Sequence, residues 1–399
     1  MFRRPSLFVV CDRLGTVSCG EAERYTDSCR LPRLEGLSVS TSRNPEDRSP
    51  EGLSRYLVAY ARGVGVSSPL YGRLLLAVAD DPDLLALAGA ARRDQPAGLL
   101  LLAAVHYLLL KSAEPLPPLA GFFPGVAGGA ARTEDPVPAF REFCLEHRGE
   151  IRALIASRRV QTNEVGRSAC LLPAFALASE TARGLPLALV EVGASAGLNL
   201  LFDRYAYDYG DGVVRGDAAS TVRISCSLRG EAIPPLPEAM LRIASRVGVD
   251  LDPVDVRDPD RRLWQRALIW PEHTTRAENL RRALEIAQET PPPLVAGDAL
   301  ALLPGILDSI PEDAAPCVFH THAVYQFAPE DRHRLYVLLV EHSARRDLVV
   351  QIGMEPSEAG SSVLSASIYR HGRPTKQRLA DCDYHGAWLA WSADSVGHA

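Results

Sequence analysis

Two hydrophobic rhythms divide the chain. Through residues 51–183, apolar side chains recur at three- and four-residue spacing, as in Leu53, Tyr56, Leu57 and Tyr60 and again in Leu70, Leu74, Leu75 and Val78. That is the period of helices with one buried face. Asp80 and Asp81 followed by Pro82 supply an N-cap and a first-turn proline, so another helix opens there. The run from Gly98 to Leu110 reads as a buried helix, a breaker-rich loop spans 115–129, and further helices are expected near 137–160 and 166–183. Residues 1–50 share neither rhythm and end in a polar run rich in Ser, Pro and Asp, so they read as a poorly ordered extension ahead of a helical cap domain.

The second rhythm begins at Leu187, where short apolar blocks alternate with helical stretches. Leu187–Val192 is a buried strand; the turn 193–197 leads into a helix over 197–204; residues 205–235 hold an inserted hairpin signalled by Tyr209-Gly-Asp-Gly212. A strand ends at Asp250, helices are expected over 261–269 and 275–289, and Leu294–Asp298, Cys317–His320 and Leu348–Ile352 are further strands. Ser361–Tyr369 and Trp388–Trp391, with His371–Pro374 between them, read as an antiparallel pair finishing the sheet. Such alternation predicts an α/β domain over 184–399, with a mostly parallel sheet covered on both faces.

Composition narrows the function classes. A net charge of -6 and a pI near 6.0 give no footprint for binding nucleic-acid backbones. No stretch approaches the roughly 20 apolar residues of a membrane span, and Arg3 and Arg4 precede too short an apolar run for a signal peptide. A small-molecule substrate and a cytoplasmic location are the expectations; oligomeric state stays open. The eight cysteines contain no C-x-x-C, so reduced thiols rather than a zinc site are expected, with Cys11, Cys19 and Cys29 as a loose oxidisable group.

The turn after Leu187–Val192 admits two chemistries. Gly193-Ala-Ser195-Ala-Gly197 fits the G-x-S-x-G elbow of α/β-hydrolases, with Ser195 as nucleophile, a carboxylate such as Asp298, and His320 or His385 as base. The same turn with Glu191 fits an acidic, glycine-rich cofactor turn in which Ser195 replaces the middle glycine. An elbow follows several strands, whereas here everything before residue 187 is helical. The first strand-to-helix turn of an open sheet is where nucleotides bind, which favours the cofactor. Asp250 and Asp298 end the next two strands, so three carboxylates line one sheet edge. About fifty residues separate Gly197 from Asp250, and Asp208, Asp211 or Asp217 replaces Asp250 if it lies off the second strand.

With these residues the chain resembles class I S-adenosylmethionine-dependent methyltransferases, a Rossmann-like α/β class. The resemblance implies that Glu191, Gly193 and Gly197 contact the methionine part of S-adenosylmethionine, that Asp250 holds ribose, and that Asp298 lies near adenine; Ser195, Asn199 and Ala299 complete the cofactor set. From about residue 52 onward the chain also resembles the bacterial domain-of-unknown-function family 2332, in Ser68–Gly72, Gln161–Arg167, Glu191–Arg204, Val247–Asp255, Trp270-Pro271 and His385-Gly386 with Trp388. That family's name implies no activity.

Candidate chemistry follows from position. His320 ends the fourth strand of the domain and is a candidate general base, with backbone satisfaction as the alternative; His322, beyond that strand, is expected to point elsewhere. A His320/His322 metal pair lacks a third ligand, so no metal is expected. Asn163, Glu164 and Gln161 either cap the helix that follows or reach over the cleft, where Glu164 joins His320 in catalysis and Asn163, Arg167 and Tyr325 grip substrate. Trp264, Trp270 and Tyr325 form an aromatic wall or belong to the core, and Arg276 faces solvent or a carboxylate. The leading expectation is methyl transfer from S-adenosylmethionine to a small molecule. The alternatives are a serine hydrolase and a methyltransferase-like module without catalysis.

Overall fold

A computed structural model describes residues 47–129 and 132–392. The extension expected over 1–50 therefore lies outside the described residues up to position 46, as do Cys11, Cys19 and Cys29. The five described cysteines are buried free thiols.

The first half is helical: α1 (Pro50–Ser67), α2 (Pro69–Asp80), α3 (Pro82–Gly89), α4 (Ala97–Lys111), the single turn α5 (Pro124–Ala127), α6 (Val137–Glu146), α7 (Arg148–Ser157) and α8 (Arg167–Thr181). Asp81 caps α3 through the amides of Asp83 and Leu84, as its sequence implies. Only Ser68 separates α1 from α2. Its hydroxyl accepts from the Tyr71 amide and donates to Glu272 Oε2 at 2.7 Å, while Glu272 Oε1 accepts from the Leu70 amide at 2.9 Å. A carboxylate from the second half thus caps a helix of the first.

In the second half the order is β1 (Leu187–Val192), β2 (Ala206–Asp208), β3 (Val214–Gly216), β4 (Arg223–Ser225), β5 (Ser227–Arg229), β6 (Ile243–Asp250), α9 (Pro259–Ala267), α10 (Thr274–Glu289), β7 (Leu294–Ala296), α11 (Ala299–Asp308), β8 (Ala315–Thr321), α12 (Pro329–Arg345), β9 (Leu348–Pro356), β10 (Ser362–Arg370), β11 (Arg373–Cys382) and β12 (Trp388–Trp391). The large sheet runs β5-β12-β11-β10-β9-β8-β1-β6-β7. β1 pairs in parallel with β6 on one side and β8 on the other, and β6–β7 and β8–β9 continue in parallel. Strand order therefore reverses between β1 and β8. The inserted hairpin is β2–β3, with β4 added in parallel to make a separate three-stranded sheet.

Three cores hold the layers together. Leu187, Leu189, Phe319 and Ile352 pack with α8 and α10 on one face of the sheet; Val190, Val192, Val318 and Val349 pack with α11 and α12 on the other. The helical half has its own core around Leu57, Leu74, Leu75 and Leu100. Trp264, Ala267 and Leu268 from α9 and its end belong to that helical core, which settles Trp264 as packing rather than wall.

The helix expected over 197–204 is a 3-10 helix over Leu198–Arg204. One expectation needs correction. The terminal antiparallel pair is a meander of β10, β11 and β12, continued in parallel by β5. Most of the first half of β11 is exposed and reads Arg373-Pro-Thr-Lys-Gln-Arg378, so it shows no apolar alternation for a pattern to detect.

The α1–α2 crossing gives a direct test of packing. A Cβ on Gly72 meets Gly65 Cα at 2.6 Å, whereas one on Gly63, also within α1, meets nothing within 4 Å. Gly72→Ala is expected to lower stability by about 1–3 kcal/mol through overpacking. Gly63→Ala is expected to raise it by about 0.5–1 kcal/mol through helix propensity. Urea unfolding of the two variants reads both signs.

Candidate functional site

The site builds from the end of β1. Gly193 (φ 76°), Ser195 (φ 53°) and Gly197 (φ 70°) are all left-handed, so this turn makes the demand that glycine meets at no steric cost. Space is as tight as the dihedrals: a Cβ on Gly193 meets Ala323 Cβ at 2.5 Å, and one on Gly197 meets Pro292 Cγ at 2.7 Å. Ser195 occupies the left-handed middle position at a cost of about 1–2 kcal/mol for a residue with a side chain.

Most backbone donors of the turn are engaged within the protein. Gly193 and Ala194 donate to Val249 O, Gly197 to Ala194 O, Leu198 to Asn163 Oδ1 at 3.0 Å, and Ser195 to Asp250 Oδ2 at 2.8 Å. Asp250 Oδ1 also accepts from Gln161 Nε2 and from the Asp252 amide, both at 2.9 Å. Asp250 lies at the end of β6, the strand beside β1, so it and not Asp208, Asp211 or Asp217 takes the second-strand position. Those three stay near the small sheet, bonding Gly210 N, Arg215 and Ala219 N. Asp298 caps α11 through the Leu300 amide and is exposed, with Ala299 buried beside it.

Two buried polar atoms here have no partner: Glu191 Oε2 and Ser195 Oγ. Glu191 is 1% exposed, and its other oxygen receives only a long bond, 3.4 Å, from Asn199 Nδ2. Asn199 Oδ1 accepts in turn from Ser168 Oγ at 2.9 Å. Burial pushes the Glu191 carboxyl well above its ordinary range, Asp250 adds to the shift, and Asn199 and Arg167 oppose it.

A second polar cluster stands between the helical half and the end of β8. Glu164 Oε2 accepts from Arg276 Nη2 at 2.5 Å and Nε at 2.9 Å, its Oε1 accepts from the Gly166 amide, and His385 Nδ1 lies 3.3 Å away. Burial alone raises the proton affinity of Glu164, but Arg276, His385 and Arg167 outweigh it and hold the carboxyl well below its usual range. Arg276 thus binds a carboxylate of the protein itself. Arg167, 6% exposed, donates from Nε to Tyr384 O at 2.9 Å and from Nη1 over 3.4–3.5 Å to Thr321 Oγ1 and O. His322 stands beside it against the rings of Tyr325 and Tyr384, its basicity pushed down to about 2 by burial, then by Arg167 and His385.

His320 is placed elsewhere. By alternation along β8 it shares a face with Val318, against α11 and α12, whereas Glu191 shares a face with Leu189, against α8. Its Nδ1 lies 2.5 Å from Glu355 Oε1, and its Nε2 3.1 Å from Gln351 Nε2, whose Oε1 accepts from Tyr369 OH. Glu355 also accepts from the amides of Ala323, Val324 and Tyr325. Both ring nitrogens of His320 are engaged, and neither His320 nor His385 bonds Ser195 Oγ.

The structure therefore brings together Glu191, Gly193, Ser195, Gly197, Asn199, Asn163 and Asp250, with Arg167 and Tyr325 at the adjoining strand end. It leaves Asp298 and Ala299 at the outer strand, Glu164 pinned by Arg276, and His320 across the sheet. Asn163 caps the 3-10 helix after the turn rather than its own helix, which starts after Gly166. Thr321, Tyr384 and Glu355 went unremarked in the sequence because partners 30 or more positions apart leave no spacing signal. Among the described residues no group of three or more His, Cys, Asp or Glu side chains is arranged to hold a metal, and no helix is long and apolar enough to cross a membrane.

The raised proton affinity of Glu191 sets a pH dependence. The folded chain keeps a proton that the unfolded chain releases near the ordinary value of 4.5, so stability falls as pH rises above 4.5 towards the folded-state value. Glu191→Gln has no proton to lose there. Its urea midpoint should match wild type near pH 4.5 and exceed it by a margin that widens towards neutrality. A constant gap would mean that the carboxyl is ionised throughout.

No curated protein and no solved structure matches the chain. One family does, over residues 57–391, and that span takes in the helical half, the turn and both polar clusters. The chain belongs to that family, described as an uncharacterized protein conserved in bacteria (DUF2332).

Proposed function

We propose that this protein binds S-adenosylmethionine at the carboxyl edge of β1 and β6, in a class I methyltransferase-like arrangement, and transfers its methyl group to a small molecule. The observation that carries the reading is the pair of unpartnered buried acceptors, Glu191 Oε2 and Ser195 Oγ, at the first strand-to-helix turn of a sheet whose order reverses between β1 and β8.

The residues fit an adenosyl sulfonium better than a dinucleotide. A diphosphate needs several free backbone N–H groups at such a turn, and the amides of Gly193, Ala194, Ser195, Gly197 and Leu198 already donate within the protein, which leaves only that of Ala196. What the turn offers is acceptors. An ionised Glu191 suits an ammonium or a hydroxyl donor, and a cationic ligand offsets the cost of burying its charge. Three of the roughly four acceptor positions on Asp250 are engaged, which leaves one on Oδ2 for a ribose hydroxyl. Asp298 keeps one oxygen free at the exposed edge, in keeping with a place near the adenine.

When bound, the cofactor supplies a methyl carbon made electrophilic by the sulfonium. This chain's residues orient the acceptor and exclude water. Neither candidate general base is free in this arrangement: Glu164 is held ionised by Arg276 with little proton affinity, and both nitrogens of His320 are engaged.

Calorimetric titration with S-adenosylmethionine and S-adenosylhomocysteine tests the reading. A Kd on the order of micromolar is expected for wild type, with a loss of about tenfold or more in Glu191→Ala. Ser195→Gly removes the second unpartnered acceptor but also a left-handed strain, so it should weaken binding less than Glu191→Ala does. Absence of binding by a folded wild type overturns the proposal. Covalent labelling of Ser195 by a fluorophosphonate would favour the hydrolase instead.

A further inference from the structure

At the end of β8, one buried cation lacks a counter-ion. Arg167 is 6% exposed, and no carboxylate oxygen of the described residues lies within ion-pair distance of its guanidinium; its hydrogen bonds go to two backbone carbonyls and a threonine hydroxyl. Of the three carboxylates that act on it from further away, Glu191 is pushed towards its neutral form by burial and the other two are committed. Glu164 is bound by Arg276, and Glu355 is bound by three backbone amides and His320. The neighbouring His322 is kept neutral and adds no charge. An isolated buried charge is among the costliest groups a fold can carry, and a guanidinium presents its donors as a planar fork suited to a two-oxygen anion.

We propose that Arg167 binds a carboxylate group of the acceptor substrate, which makes the substrate of this site a small carboxylic acid. The inference deepens the preceding reading and rests on it in treating the bound molecule as the methyl acceptor. A carboxylate is favoured over a phosphate by charge: Glu164 and Glu355 already act on Arg167, and one guanidinium balances one negative charge, not two. The half-buried rings of His322, Tyr325 and Tyr384 pack against one another near the guanidinium and suit an apolar body behind the carboxylate. Arg167, the first residue of α8, reaches Thr321 at the end of β8, whereas the unpartnered acceptors lie at and just after the end of β1.

The probe is sodium acetate, titrated at constant ionic strength into wild type, Arg167→Gln and Arg167→Lys, with arginine Nε–H signals and melting temperature as readouts. Saturable acetate binding that shifts one arginine signal in wild type is expected. Arg167→Gln should lose it, and Arg167→Lys, which keeps the charge without the fork, should weaken it about tenfold. If Arg167→Gln fails to fold, the lysine variant carries the comparison alone. Absence of an acetate response in wild type, or an equal response in folded Arg167→Gln, overturns the proposal. S-adenosylhomocysteine affinity in the same variants separates the two sources of a carboxylate. Affinity unchanged within twofold supports the acceptor. A tenfold loss that spares methylthioadenosine, which has no carboxylate, assigns the anion to the cofactor and overturns the substrate assignment. Should no adenosyl ligand bind at all, the acetate arm still reads the anion site while the cofactor reading fails by itself.

Discussion

The Asp250 carboxylate is the fastening on which the rest of the site depends. Its Oδ2 holds the amide of Ser195 in the left-handed turn, and its Oδ1 holds both its own loop through Asp252 N and the segment leaving the helical half through Gln161. Three parts of the chain with no sequence proximity therefore meet on one side chain. A carboxylate can do this because it accepts along about four directions at once, where a hydroxyl or amide could not satisfy three donors arriving from separate sides. Asn163, two residues beyond Gln161, fastens the same segment to the next turn through Leu198 N. The helical half is thus bound to the glycine-rich turn by hydrogen bonds as well as by the apolar core that takes in Trp264.

Much of this was legible in the residues. The helical period of 51–183, the Asp81 cap, the first strand at Leu187–Val192 and the carboxylates at successive strand ends are local patterns, and the structure contains each of them. The choice of Asp250 over Asp208, Asp211 and Asp217 needed the strand order, because only pairing with β1 identifies the second strand. The C-terminal meander was missed where β11 is polar and exposed, since an edge-region strand needs no apolar alternation to pair.

The site was less legible than the fold, and His320 shows why. Its place at the end of β8 was readable, yet which side of the sheet it faces depends on a register of one residue relative to Val192 and Glu191. That register put His320 among Glu355, Gln351 and Tyr369, and put Thr321 next to Arg167. The roles of Glu164 and Arg276 were equally closed to sequence, because each is defined by the other across a separation of 112 positions.

The pairing of β1 with both β6 and β8 has a consequence for how the protein acquires its site. Val192 meets Val249 on one side and His320 on the other, partners that enter the chain long after it. Parallel pairings of such long range form late, after the entropy of closing large loops has been overcome. Early in folding, the glycine-rich turn has neither Asp250 to hold its amide nor Thr321 to receive Arg167. The site is consequently a property of the finished chain and not of any part made earlier.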